Sequence, residues 1–301
     1  MGIESATGAV TRDERLPHRV SVVIPTLGSE CVVRTIEQLN RGTLVPAEIL
    51  ACIPQQEAAR MEHVSFPNVR VVRTDCRGQV AQRAIGFQQA REAIVVQLDD
   101  DIHVEEDTLA RLTQALADKG RGNALAPVFH VVETGRCTHE LGDGLLGWLM
   151  NLFTYAICGA PWGVKRMGVV TAIGTSYGVD SRHCGSAPFP TQWLPGGCVV
   201  CFREDLIRDN FFPYAGKAYC EDLIHSHLRV KNGTRLWVLP TAKCLIHASE
   251  PERDARSVLA QLNARRYVLA LRGGPKWRLA LYEALSGLKR AVTARARAFG
   301  R

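Results

Sequence analysis

Apolar and polar positions follow two rhythms through the first 120 residues. Val20-Ser21-Val22-Val23-Ile24 is a short apolar run closed by Pro25, and Glu48-Ile49-Leu50-Ala51-Cys52-Ile53 is a second closed by Pro54. Val69-Arg70-Val71-Val72 and the stretch from Ile94 to Leu98 complete the set. Runs of this length, rich in β-branched residues, predict buried strands. Between them the apolar positions recur at helical spacing, from about Cys31 to Asn40, Gln79 to Arg91 and Thr108 to Ala117, where Leu109, Leu112 and Leu116 share one side. Strand alternating with helix predicts an α/β chain, with a mostly parallel sheet covered on both faces. In such sheets ligands collect at the carboxyl ends of the strands. Thr26, Asp75 and Asp99 to Asp101 all fall at or just beyond predicted strand ends, so they can share one crevice.

The second half is less regular. Residues from about 135 to 190 hold many glycines and little alternation. Trp193 to Phe202 returns to strand character around Pro195-Gly196-Gly197, and Tyr219 to Val230 reads as a helix opening with Glu221 and Asp222. Arg235 to Val238 and Lys243 to Ile246 read as short strands, and Pro251 to Leu271 as a helix ended by Gly273-Gly274-Pro275. No linker divides the chain. We expect a polar arm over residues 1–18, one domain over 19–271 with an apolar insertion at about 135–190, and a basic amphipathic tail over 272–301. From Gly144 to Val164 there is no charged residue. That length approaches a membrane span, but Gly147, Asn151, Gly159 and Pro161 interrupt it. A partly exposed helical insertion touching lipid or an acceptor is the preferred reading, with a buried helix and a true span as alternatives.

Composition narrows the class. The chain has 301 residues, 46% hydrophobic and 22% charged, as in ordinary globular proteins. Met1 to Arg19 lacks an apolar signal core, which argues against secretion. Ten cysteines lie scattered without a framework, the usage of a reducing cytosol. Cys198 and Cys201 form a lone Cys-x-x-Cys on a predicted strand, where alternation sends them to opposite faces and away from a shared zinc. The net charge is +7, and Gly273 to Arg301 hold seven Lys or Arg against one Glu. Trp277, Leu281, Leu285, Leu288, Val292 and Phe299 follow helical spacing there, among Lys276, Arg278, Lys289, Arg290, Arg295 and Arg297. This pattern suits a helix lying on an anionic membrane surface, or one docked on its own domain with a solvated basic face. Stacking aromatics are sparse in the tail, which argues against nucleic acid. The expected location is cytoplasmic, with peripheral contact at the inner face of the plasma membrane open.

The chemistry concentrates in Asp99-Asp100-Asp101 at the end of the fourth apolar run. Unit charges about 4 Å apart interact by roughly 1 kcal/mol in water and roughly 4 kcal/mol at an effective dielectric near 20. Carboxylates gathered at a strand end therefore imply a positive partner. Oxygen ligands favour Mg²⁺ or Mn²⁺, which commonly bridge carboxylates to substrate phosphates. The alternative is an acidic turn with one Asp capping the helix that begins near Glu106. No Gly-x-x-x-x-Gly-Lys-Ser/Thr is present. Gly142, Gly144 and Gly147 match Gly-x-Gly-x-x-Gly by spacing but follow no strand.

Read in order, these segments resemble the family 2 glycosyltransferases of the GT-A fold. Val22-Val23-Ile24-Pro25-Thr26 is similar to the family's first strand. Gly78-Gln79-Val80-Ala81-Gln82-Arg83-Ala84-Ile85-Gly86 is similar to its Gly-x-x-x-Ala-Arg-x-x-Gly segment. Leu98-Asp99-Asp100-Asp101 matches its Leu-Asp-x-Asp motif, Gly196-Gly197 leading to Arg203 its Gly-Gly strand, and Glu221-Asp222 its acidic pair. The resemblance covers about residues 19–271. It implies an α/β fold of GT-A type, with a Rossmann-like mixed, mostly parallel sheet flanked by helices in a single domain with a helical C-terminal extension. It also implies a nucleotide-sugar donor and a glycan or lipid-linked acceptor, joined by transfer that inverts the anomeric carbon. Donor contacts carry over to Pro25, Thr26, Asp75, Arg77, Gly78, Arg83, Asp99, Asp100, Gly196 and Gly197. A Mg²⁺ or Mn²⁺ site carries over to Asp99 and Asp101, with His247 completing it. Asp222 takes the role of catalytic base beside Glu221, and Arg265 and Arg266 come within range from the last helix. One departure stands out. Where the family carries an acidic residue and a Gly-Ser pair after the second strand, this chain reads Ala51-Cys52-Ile53-Pro54-Gln55-Gln56, with no carboxylate before Glu57. Base recognition then falls to groups such as Gln55, Gln56 and Asp75. Two other functions remain open at this level: a nucleotidyltransferase that makes nucleotide sugars, and a non-catalytic module that binds nucleotide or glycan.

Overall fold

In the computed structural model, described over residues 19–142, 144–160, 167–248 and 254–285, the chain order is as follows. β1 (Val20–Pro25), α1 (Glu30–Arg41), β2 (Glu48–Pro54), β3 (Val69–Thr74), α2 (Gln79–Gln89), β4 (Ile94–Leu98), β5 (His103–Val104) and α3 (Thr108–Lys119) form the first part. β6 (Asn123–Val131), α4 (Gly144–Phe153), β7 (Val169–Val170), β8 (Ser176–Tyr177), β9 (Phe189–Thr191) and β10 (Cys198–Phe202) follow. α5 (Glu221–Lys231), β11 (Arg235–Ile246) and α6 (Ala255–Leu271) come next, and residues 276–285 are again helical. The polar arm 1–18, the end of the apolar stretch at 161–164, the expected helix start at 251–253 and the tail from 286 lie outside the described residues.

The apolar periodicities become faces. β1 is buried at all six positions. α1 turns Val32, Thr35, Ile36 and Leu39 inward, and α3 does the same with Leu109, Leu112 and Leu116, the spacing of a helix with one buried side. The main sheet runs β3-β2-β1-β4-β10-β6-β11-β5, with β9 added on β11. Parallel ladders join β3, β2, β1 and β4, and also β6 and β11. β10 lies antiparallel between β4 and β6. Its first residue, Cys198, pairs with Leu98, the last of β4. The reversal therefore brings Gly196-Gly197 to the carboxyl end of β4, where Asp99 begins.

Several expectations change. β6 is a nine-residue strand that the sequence did not announce, because Pro127 interrupts its apolar run. The two short strands near the end are one strand, β11, with an irregular register between Leu239 and Lys243. The strand expected from Trp193 starts only at Cys198, after the Pro-Gly-Gly turn. α6 begins at Ala255, where Asp254 accepts a hydrogen bond from the Ser257 N–H, a cap that stabilises a helix start. Cys198 and Cys201 do fall on opposite faces of β10, in separate core clusters, and all ten cysteines are free. No helix among the described residues is long and apolar enough to cross a membrane.

α2 lies close against β1 and β2 through Gly86. A Cβ there would collide with Val23 Cγ1 and stand 2.6 Å from Cys52 Sγ, both within the core. Gly86→Ala is expected to cost about 1–3 kcal/mol through overpacking, read as a lower urea midpoint at unchanged slope.

Candidate active site

Three distant segments meet at the carboxyl ends of β1 and β4. The first is the end of β1. Beyond Pro25, the Thr26 N–H donates to the Cys52 carbonyl at 2.9 Å, continuing the ladder with β2. The Thr26 hydroxyl donates to Asp100 Oδ2 at 2.6 Å and accepts from the Gly28 N–H at 2.9 Å. One threonine thus holds both the loop after β1 and the acidic turn after β4.

The second segment is the start of α2. Gly78 has φ +142°, in the half of conformational space that favours glycine. Its N–H donates to Gln82 Oε1 at 3.1 Å. Gln82 is buried, and its Nε2 donates to the carbonyls of Thr26 and Cys52 at 2.9 and 2.7 Å. Gln79 Nε2 donates to Asp99 Oδ1 at 2.7 Å. Arg83 is 1% exposed. One guanidinium nitrogen meets Asp99 Oδ1 at 2.9 Å, and the other meets both Glu221 oxygens at 3.2 Å. Gln79 and Gln82 lie within the Gly78 to Gly86 segment, where the resemblance gives them no site role. The available signal was helical phase: Gln79 stands one turn before Arg83 and Gln82 beside it.

The third segment is the turn into α5. Cys220 has φ +56°, the one positive φ of a non-glycine among the described residues, so the chain enters α5 through a strained residue. Glu221 is buried on Arg83, and Asp222 follows with Oδ1 accepting the Leu223 N–H at 2.9 Å. Gly197 accepts the Asp99 N–H at 2.9 Å, and Gln97 donates to the Gly196 carbonyl. Gly196 leaves the room that Glu221 fills, since a Cβ there would collide with Glu221 Oε1. Gly196→Ala is expected to push Glu221 off Arg83 and cut turnover by on the order of 10²-fold, as small misplacements at a reacting centre do. Steady-state kinetics on folded protein, checked by circular dichroism, reads this.

Electrostatics follow from burial. Loss of water pushes the Asp222 carboxyl up to about 7, and the Glu221 charge pushes it further in the same direction. Burial likewise lifts Asp99 to about 6; Arg83 pulls it down and Glu221 pushes it up. Burial also raises Asp100, against the Thr26 hydrogen bond. Asp101 is exposed.

Other expected site residues lie further out. Asp75 and Arg77 are exposed beyond β3, and Arg77 pairs with Glu57 at 3.4 Å. Glu57, in the turn after β2, also meets Arg60 at 3.0 Å, and Arg60 donates to the Leu27 carbonyl. The first carboxylate after β2 is therefore present but already engaged by two arginines. His247 Nδ1 lies 2.9 Å from Glu133 Oε1, and its side chain is 72% exposed. Among the described residues no three or more His, Cys, Asp or Glu side chains are grouped to hold a metal.

Residues 21–153 match the family described as Glycosyl transferase family 2. No curated protein matches the chain. Among solved structures, the chain is similar to GalNAc-T7 with UDP, GalNAc and Mn²⁺, at 19% identity and a TM-score of 0.55, covering 77% of this chain and 43% of that one. It is also similar to S. aureus TarS 1-349 in complex with UDP-GlcNAc, at 16% identity and a TM-score of 0.48, covering 84% and 66%. The chain spans less than half the length of the GalNAc-T7 structure.

Proposed function

We propose that this chain is a glycosyltransferase of family 2 with the GT-A fold, one that moves a sugar from a nucleotide-diphosphate donor to an acceptor hydroxyl with inversion, aided by Mg²⁺ or Mn²⁺. The observation that carries this reading is the Arg83 bridge. A single buried guanidinium links Asp99, on the acidic turn, to Glu221, beside the candidate base. Residues more than 120 positions apart are thereby joined through one buried side chain.

The roles divide by environment. Glu221 is spent on Arg83, so it positions and does not move a proton. Asp222, lifted to about 7 by burial, suits a general base at neutral pH. The acceptor oxygen attacks the anomeric carbon as the bond from that carbon to the diphosphate breaks. The hydroxyl proton passes to Asp222, and the nucleoside diphosphate leaves. Thr26, Gly78, Asp100 and the Gly196-Gly197 turn would shape the donor site, with Asp75 and Arg77 at its outer edge.

Asp99 and Asp101 form an oxygen-only pair that fits Mg²⁺ or Mn²⁺, because such ions are usually held by one or two carboxylates together with substrate phosphates. His247, 72% exposed and paired with Glu133, would have to turn away from that partner to join them. When bound, a dication there offsets charge growing on the leaving diphosphate. UDP-sugars are the first donors to try, since the GalNAc-T7 structure of similar fold holds UDP. The acceptor we favour is a lipid-linked or cell-surface glycan.

Donor turnover tests the proposal. With Mn²⁺ and a panel of nucleotide sugars, nucleoside diphosphate should be released, stop with EDTA and resume when Mn²⁺ is restored. Pyrophosphate released from a nucleoside triphosphate and a sugar phosphate would overturn the reading in favour of a nucleotidyltransferase. Absence of both reactions across the panel would favour a binding module.

A further inference from the structure

We propose that α4 and the helix over 276–285 form one platform that lays the protein on an anionic lipid bilayer. α4 is unusual in what it leaves in water. Leu145, Leu146 and Trp148 are 74%, 72% and 58% exposed, and Leu149 is half-exposed. On the second helix Trp277 is 62% exposed, with Leu281 beside it. Isolated exposed leucines need no explanation, but a contiguous patch of large apolar side chains marks a contact surface.

The two helices are fastened together. Phe153 and Tyr282 lie with ring centroids 6.3 Å apart. Arg278 donates to the Ala156 carbonyl at 2.6 Å, in the turn that follows α4. Behind them Cys158, Ile173, Leu269 and Leu279 form a small core of their own. The apolar faces are therefore held in one orientation.

Charge selects the occupant. From Gly144 to Ala160 there is no charged residue, while Lys276 and Arg278 stand on the second helix. Its one acid, Glu283, is paired with Arg266 at 3.1 Å. The sequence after residue 285 adds five Lys or Arg and no acid. A second copy of this chain would set basic rim against basic rim. An anionic bilayer accepts the apolar side chains below its headgroups and attracts each cation at its surface.

The platform adjoins the crevice. Burial lifts the thiols of Cys158 and Cys220, and the Arg265 charge pulls both down. Arg265 therefore stands near the turn after α4 and near the residue two before Asp222. A hydroxyl carried on a lipid would thus approach the base side of the crevice; that consequence rests on the proposed transfer reaction, whereas the docking itself does not.

Vesicle binding tests the docking without any turnover. The full chain is sedimented with phosphatidylcholine vesicles, with and without about 30% phosphatidylglycerol, the kind of surface charge that draws basic segments. Binding to the anionic vesicles with a blue shift of Trp emission is expected, with little binding to the neutral ones. The Leu146→Glu/Trp148→Glu variant should bind at least about tenfold more weakly, with nucleoside diphosphate release to a water-soluble acceptor unchanged. Failure of the wild type to bind, equal binding by the variant, or equal binding to neutral vesicles would overturn the proposal. So would a concentration-dependent dimer that the variant disperses.

Discussion

Asp222→Asn is expected to lower kcat by about 10²–10⁴-fold, the usual contribution of a positioned general base, while the donor KM changes by less than about threefold. The proposed base works only when ionised. With its carboxyl lifted to about 7, kcat/KM should fall tenfold per pH unit below about pH 7 and level off above it. The Asn protein should lose that limb. Stability runs the other way. The folded pKa lies above the unfolded value of about 3.9, so the folded state holds this proton more tightly. Its stabilising contribution is complete below about pH 4 and is lost as pH rises to about 7. At pH 8 the wild type buries an ionised carboxylate next to Glu221, and the Asn protein does not. The variant should therefore be the more stable of the two at pH 8, and urea titration at both pH values shows whether it is.

The largest stability effect is expected at Arg83. Its guanidinium sits between two carboxylates, Asp99 and Glu221, with 1% exposure. Arg83→Met removes the charge and leaves the buried Glu221 facing Asp99, itself only 24% exposed, with no cation between them. Breaking a buried ion pair from one side costs about 3–5 kcal/mol, against total stabilities of about 5–15 kcal/mol. The variant should unfold at markedly lower urea. Adding Glu221→Gln to it should recover part of the loss, because one of the stranded charges is then gone. Arg83→Lys keeps the charge but cannot reach both partners through a planar fork, so it should fall between. No change in the urea midpoint for Arg83→Met would mean that the bridge does not hold the crevice together.

The reach of sequence reasoning here depended on burial geometry. β1, β2, β3 and β4 were legible because each is a short apolar run stopped by a proline or a polar turn. α1 and α3 were legible because one face of each is core. β6 was not, because Pro127 sits inside it, and a proline within an apolar run argues against a central strand. β11 was split in the reading by Pro240, which sits in the stretch between Leu239 and Lys243 where the register shifts. The acidic turn and the Glu221-Asp222 pair stood out as charge at element ends. The contact between them did not, since the resemblance assigns Arg83 to the donor, whereas the fold places it between the two carboxylates. Gln79 and Gln82 lie inside the Gly78 to Gly86 segment but carry no charge and were assigned no role, although their amides fix the carboxylate and the two strand ends. The exposed face of α4 was anticipated as an uncharged stretch. Its union with the helix over 276–285 depends on Tyr282 and Arg278, which spacing alone does not connect.

The central claim is that the acidic turn holds the donor while Asp222 performs a separate proton transfer in the same crevice. Titration calorimetry of UDP with Mn²⁺ into wild type, Asp101→Ala and Asp222→Asn tests it most directly. Asp101→Ala should lose at least about tenfold in Mn²⁺-dependent affinity, as loss of a charge-assisted ligand implies. Asp222→Asn should bind within about threefold of wild type and yet fail to transfer sugar. UDP binding that ignores Mn²⁺ and is equal in all three proteins would contradict the account.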